Sequence, residues 1–237
     1  MHSQVGDIEF SYSKSKRRTA SLFVERDGSV SLIVPEELNE KAIEQIVEKK
    51  KAWIYRSLAE WEDLNASRVD REFVTGETFP YLGRNYRLRV ASDLETELSL
   101  KGGYFLIQES KLHRCAGAFK RFYTRKGRAK ISERVGYFKN KIGVQEKDIK
   151  VMELGHRWAS CTPDGSLNFN WKCIMAPLSI IDYIVVHELC HLNHLNHSSE
   201  FWNEVDKVLP DFQKRHDWLK FNGASLDIVP KNQSIGL

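Results

Sequence analysis

Apolar and polar residues alternate with a period of two at Ile8 to Ser13 and again across Ser21 to Val34, SLFVERDGSVSLIV, around a turn at Asp27-Gly28. Lys14 to Arg18, KSKRR, reads as a basic loop between these strands. From Pro35 to about Leu64 the period lengthens. Ile43, Ile46, Val47, Ile54, Leu58 and Trp61 recur at helical spacing, and Pro35 sits where a helix start tolerates it. Two further hairpins follow, Phe73 to Val90 with Gly83 to Asn85 in the turn, and Leu98 to Gln108 turning at Gly102-Gly103. Cys115 to about Ile142 is a second helical stretch, carried by Phe119, Phe122, Tyr123, Ile131, Val135 and Phe138. Short strands are expected at Ile149 to Glu153, Arg157 to Cys161 and Leu167 to Trp171, with a turn at Pro163-Asp164-Gly165. Helices close the chain: one after Pro177 through the apolar Ile181, Ile184, Val185 and Leu189, one from about Ser198 to Val208, and one from Asp211 to Phe221. The pattern is that of an α+β protein. It divides into a β-rich module with one helix at 1–110 and a helical domain at 111–237, with no internal repeat visible.

Composition narrows this picture. The chain has no run of 18 apolar residues, so no membrane-spanning helix is expected. MHSQVGDIEF lacks the basic start and apolar core of a signal peptide. Cys115, Cys161, Cys173 and Cys190 show no Cys-x-x-Cys pairing, which fits free thiols in a reducing cytoplasm. The net charge is only +4, but thirteen Lys and Arg crowd residues 111–150 against Glu133, Glu146 and Asp148. That stretch is either a solvated helix face or an electrostatic footprint for nucleic acid, although no nucleic-acid motif accompanies it.

The chemistry concentrates in IIDYIVVHELCHLNHLNHSSEFWN, Ile180 to Asn203. His187 and His191 are four apart on a helix, with Cβ atoms about 5–6 Å from each other, so both imidazoles can reach one ion. Glu188 lies one residue on, where a carboxylate reaches a water beside the ion and can act as general base. A catalytic zinc needs a third protein ligand and an open position. His197 is favoured, after a turn that Asn193 and Asn196 tolerate. His194 is a rival, although on a continued helix it would lie about 10 Å along the axis from His187. Glu200 and Glu204 are weaker candidates. The segment RWASC is placed as an edge strand beside the metal, with Arg157, Trp158, Ala159 and Ser160 meeting an extended substrate by backbone pairing. Arg157 and His216 are candidates for stabilising an oxyanion. Two functions follow. One is a zinc-dependent peptidase with Glu188 as base. The other is a basic module that binds nucleic acid or a partner and keeps zinc as scaffold.

RWASC, LNFNWKCIMAP, DYIVVHELCHL and NHSSEFW together resemble the YgjP-like metallopeptidases, relatives of the SprT-like and WLM zinc peptidases. The resemblance runs over essentially the whole chain and is densest from about Leu154 to Trp218. It implies a zincin-like catalytic half behind an N-terminal β-hairpin-rich extension, a protein or peptide substrate, and one zinc ion. It also implies His187, His191 and His197 as ligands and Glu188 as base. This sequence has Ala159 where the family's Arg-Trp-Gly-Ser-Cys pattern has Gly.

Overall fold

Four short strands near the start of the chain and four more after residue 77 pair into two sheets of the same design. They are seen in a computed structural model that describes residues 1–25, 27–65, 69, 71–92, 94–155 and 157–228. The chain divides into two units, Met1–Ser67 and Arg68–Leu237.

In the first unit, β1 (His2–Val5), β2 (Ile8–Ser15), β3 (Ser21–Val24) and β4 (Val30–Pro35) lie in the order β1-β2-β4-β3. Two antiparallel hairpins are joined by a parallel central pair, with Tyr12 opposite Leu32. Alternation sends Ile8, Phe10, Tyr12, Val30, Leu32 and Val34 to one face, where Ile43, Val47 and Ile54 of α1 (Glu40–Asn65) close the core. Pro35, expected to open this helix, instead ends β4 opposite Ser15, and α1 starts five residues later. A proline at the end of a strand gives up no ladder hydrogen bond that the sheet needs. The expected two-residue turn at Asp27-Gly28 is a longer loop: Glu25 N–H donates to Ser29 O, and Arg26 lies outside the described residues. The first strand pair begins at His2, ahead of the expected Ile8.

The second unit repeats the design. In it β5 (Thr78–Tyr81), β6 (Arg84–Ala91), β7 (Leu98–Lys101) and β8 (Tyr104–Gln108) lie in the order β5-β6-β8-β7, again two hairpins joined by a parallel pair. A long helix, α2 (Cys115–Ile142), follows as α1 follows β4. Two strand-pair, strand-pair, helix units thus stand in series, a repeat of topology that residue patterns do not reveal. Phe79, Leu88, Phe105 and Ile107 of this sheet pack with Phe119, Phe122 and Tyr123 in the core that also holds the C-terminal helices. The second and third hairpins therefore share a unit with α2, although a boundary near residue 110 was expected. Their apolar face has α2 as its cover.

The later half of α2 supports the remaining elements. Gly127 of α2 faces Val151 of β9 (Asp148–Met152) and Ile174 of the 3-10 turn Trp171–Met175, at distances where a Cβ would make ordinary contact. A three-stranded sheet has β11 (Ser166–Asn170) at its centre, parallel to β9 and antiparallel to β10 (Ala159–Cys161), so β10 is an edge. Trp171, expected to end that strand, begins the 3-10 turn. Next come α3 (Leu178–Cys190), α4 (Ser199–Val208) and α5 (Phe212–Asn222). Arg134 on α2 grips Asp182 on α3 through Nε–Oδ1 at 2.6 Å and Nη2–Oδ2 at 3.0 Å, a two-pronged charged contact that fixes the rotation of α3.

The hairpin turn between β5 and β6 sits at Leu82-Gly83, one residue before the expected position, with both φ angles positive (49° and 75°). Such a turn matches the twist of the flanking strands. Its two N–H groups donate to Ile174 O at 2.9 Å and Met175 O at 3.1 Å, just ahead of α3. At Gly83 a Cβ would lie 2.8 Å from Pro177 Cα. Gly83→Ala therefore combines a left-handed backbone with a backbone clash, and is expected to cost about 2–4 kcal/mol in denaturant unfolding. A loss below about 0.5 kcal/mol, the size of an ordinary surface substitution, would contradict this docking.

Candidate metal centre

Nearly every side of α3 is buried, including Ile180, Ile181, Ile184, Val185, Val186 and Leu189. A helix buried all round belongs to a protein interior, and polar groups on it need a purpose or a partner. His187 and Glu188 sit on its last turn, and His191 is its C-cap. The chain then turns, and His197 comes back before α4. Among the described residues, His187, His191 and His197 offer ring nitrogens that all lie within 4.8 Å of one another. His187 Nε2 and His197 Nε2 are 3.0 Å apart. Two nitrogens bound at about 2.0–2.1 Å in a tetrahedron stand roughly 3.3 Å apart, so the donor set fits a small divalent ion. His191 Nδ1 meets His194 O at 2.9 Å. A carbonyl only accepts, so the proton sits on Nδ1 and the Nε2 lone pair is free. His194 does not join the cluster: its Nε2 lies 2.9 Å from Glu204 Oε2.

Aromatic rings hold the three imidazoles. Phe201, fully buried, has its centroid 4.9 Å from that of His187, 4.6 Å from His191 and 4.9 Å from His197. Trp202 stacks on His197 at 5.6 Å and on Phe212 at 5.3 Å. Phe201 and Trp202, whose apolar spacing on α4 suits packing against the helix that carries His187, form the floor of the centre. Their signal was the run NHSSEFW, in which a histidine and two aromatics fall within one helical turn or so.

Burial and neighbours set the electrostatics. Burial, then His191, His197 and His216, push His187 down to about 3, so the ring is neutral at neutral pH and one nitrogen keeps an open lone pair. His197 is lowered by burial and by His191. Glu188, 6% exposed, is pushed up to about 8 by burial, partly opposed by the Cys161 amide that donates towards its carboxyl group. Its Oε2 is enclosed without a hydrogen-bond partner, as is His187 Nδ1. Tyr183, one turn before His187, is raised to about 12 by burial and by Glu188. His216 on α5 stands exposed beside Tyr183, at 6.2 Å between ring centroids.

The other sequence candidates lie along β10. Ala159 and Ser160 are half-buried and pair with Phe169 and Asn168. Trp158 is half-buried against the main core, and Arg157 is exposed. Asn170, which sequence reading passed over, organises this approach. It is 1% exposed, donates from Nδ2 to Gly155 O at 3.2 Å and to Arg157 O at 3.0 Å, and accepts Lys172 N–H at 3.1 Å. The strand carries a second amide at Asn168, and nothing in the sequence singles out Asn170 from it.

Seven of the thirteen cations of residues 111–150 pair with carboxylates: Lys120 with Glu153, Arg121 with Glu97, Lys130 with Glu133, Arg134 with Asp182, Lys139 with Glu146, Lys147 with Asp164 and Lys150 with Asp148. The expectation of nucleic acid on this stretch gains no support. No helix among the described residues is long and apolar enough to cross a membrane.

The raised Glu188 value carries a pH dependence in metal-free protein. Below its ordinary value of 4.5 the folded and unfolded chains both hold the proton; as pH rises towards 8 only the unfolded chain ionises, and stability is lost. Glu188→Gln, neutral throughout, is expected to exceed wild type by on the order of 2–4 kcal/mol at about pH 9 and to converge with it near pH 5. A difference independent of pH would contradict the burial argument.

Comparison with known proteins adds three findings. A family model described as the YgjP-like metallopeptidase domain matches residues 18–222. The crystal structure of the metallopeptidase zymogen of Pyrococcus abyssi abylysin is similar at 24% identity, covering 42% of this chain and 99% of that chain, with a TM-score of 0.38. No curated protein matches. With the model spanning both units and the whole histidine cluster, the chain belongs to the YgjP-like metallopeptidase family.

Proposed function

We propose that this chain is a zinc-dependent endopeptidase in which His187, His191 and His197 hold one zinc ion and Glu188 is the general base. The observation that carries the reading is the convergence of three ring nitrogens within 4.8 Å, next to a carboxyl group kept at about 8 with one oxygen free. Zinc, when bound, supplies Lewis acidity, which makes water a better nucleophile at neutral pH and polarises a peptide carbonyl. Glu188 does the proton work. A cation beside it favours the carboxylate, so the group that burial keeps protonated becomes a base once the site is loaded. The Glu188 carboxylate accepts the proton of the attacking water and returns it to the nitrogen of the leaving amine.

Substrate orientation falls to β10. Trp158 O accepts from Asn170 N–H at 2.8 Å, so residues 158 and 160 face inward to β11. By the alternation of an antiparallel ladder, the N–H and C=O groups of Ala159 and Cys161 face the open edge, and the Cys161 amide is near enough to Glu188 to oppose the rise that burial causes. Ala159 is thus the residue whose backbone N–H and C=O are free to pair with an extended peptide alongside the metal. Its methyl group, in place of glycine, leaves that pairing intact, since side chains of a strand stand perpendicular to the hydrogen-bond plane. The alternative, a binding module with zinc as scaffold, gives no use to a buried carboxyl group with an unpartnered oxygen.

Glu188→Gln is expected to retain zinc and fold while cleavage of an unstructured protein substrate falls by about 10²–10⁴-fold. Chelation should abolish wild-type cleavage and stoichiometric zinc restore it. Undiminished cleavage by the variant, in material free of other peptidases, would sink the mechanism.

A further inference from the structure

We infer that Glu204 is a positioning residue for the metal centre, acting on His191 through the turn at Asn193-His194; the inference rests on the three-histidine reading above. After α3 the chain makes one more tight turn, in which Cys190 O accepts Asn193 N–H at 3.1 Å and His194 N–H at 3.0 Å. That turn brings His194 O to 2.9 Å from His191 Nδ1. The position of this one carbonyl therefore decides the ring orientation and the tautomer of a metal ligand.

Backbone hydrogen bonds alone leave such a turn free to unwind, because it is followed by an exposed stretch, Leu195 to His197. Glu204 restrains it from α4. Asn193 Nδ2 donates to Oε1 at 3.0 Å, and His194 Nε2 stands 2.9 Å from Oε2, an enclosed atom with no aligned hydrogen bond of its own. Asn193 is thus tied to the carboxylate by a hydrogen bond, and the His194 ring lies against its other oxygen. Glu204 also lies three residues after Phe201, on the same face of α4. The helix that supplies the aromatic floor under the imidazoles thereby supplies the anchor for the turn, and the two are set in one register. With both oxygens turned to Asn193 and His194, Glu204 is no ligand itself.

The test uses the full chain, freed of metal, and reads zinc affinity by competition with a chromophoric chelator. Cobalt(II) absorption reports the ligand geometry. Glu204→Ala is expected to weaken zinc about 10–100-fold, the range of a lost second-layer partner, and to shift the cobalt spectrum. Glu204→Gln keeps an acceptor for Asn193 and should lose clearly less. Because Glu204 holds the turn through Asn193, the double variant Asn193→Ala/Glu204→Ala should bind within about twofold of Glu204→Ala, as a shared pathway requires. Zinc binding by Glu204→Ala within about twofold of wild type would overturn the inference while leaving the three-histidine site standing. So would additive losses in the double variant, or an unchanged cobalt spectrum with an affinity loss that only follows a lowered unfolding midpoint. Failure of wild type itself to bind zinc would instead remove the three-histidine reading, and this inference with it.

Discussion

A carboxyl group and two imidazoles have to be kept inside a helix that is otherwise a core element, and much of the second unit answers to that constraint. Burial alone penalises charge on Glu188 and on His187, and the first effect runs against folding as pH rises while the second runs against it as pH falls. A site of this kind persists only if the surrounding packing holds it. The Leu82-Gly83 turn seals the approach to α3, the Arg134–Asp182 pair fixes its rotation, and Arg215 Nη1 donates to Ser179 O at 3.0 Å near its start. A divalent ion reverses the penalty, since it favours the carboxylate and needs the neutral lone pairs. The metal-free protein is in this sense built under tension that the metal relieves.

The second layer around the imidazoles explains why the chain after His191 is as it is. One short helix, α4, places Phe201 under all three rings, Trp202 against His197 and Glu204 on the turn that orients His191. On the other side, Asn170 ties down the segment leading into β10, and the Cys161 amide ties β10 to Glu188.

Much of this was legible in the chain. Helical spacing alone puts His187 and His191 on one face, and the argument that His194 sits too far along the axis leads to His197, which the structure brings into the cluster. The edge position of β10 was expected from likeness to zinc peptidases, not from its residues, and the strand order has it there. Less was legible where the partner of a residue lies far along the chain. The basic stretch looked like a surface for an acidic partner because Glu97, Glu153, Asp164 and Asp182 are distant in sequence and near in space. The hairpins before residue 110 looked like part of an N-terminal module because their cover, α2, had not yet appeared. The repeated topology of the two units was invisible because it resides in strand order and pairing, which alternation does not encode. Pro35 was read as a helix start when it is a strand end; both positions spare a proline's missing N–H, so the residue alone does not choose.

The account stands or falls on three histidines sharing one ion. The direct measurement is the metal content of the untagged protein by elemental analysis, wild type beside His197→Ala, after equilibration with zinc and removal of the excess. About one zinc per wild-type chain, as a mononuclear centre requires, and a clear loss in the variant is the predicted result. Equal zinc in both proteins, or none in wild type, would contradict it.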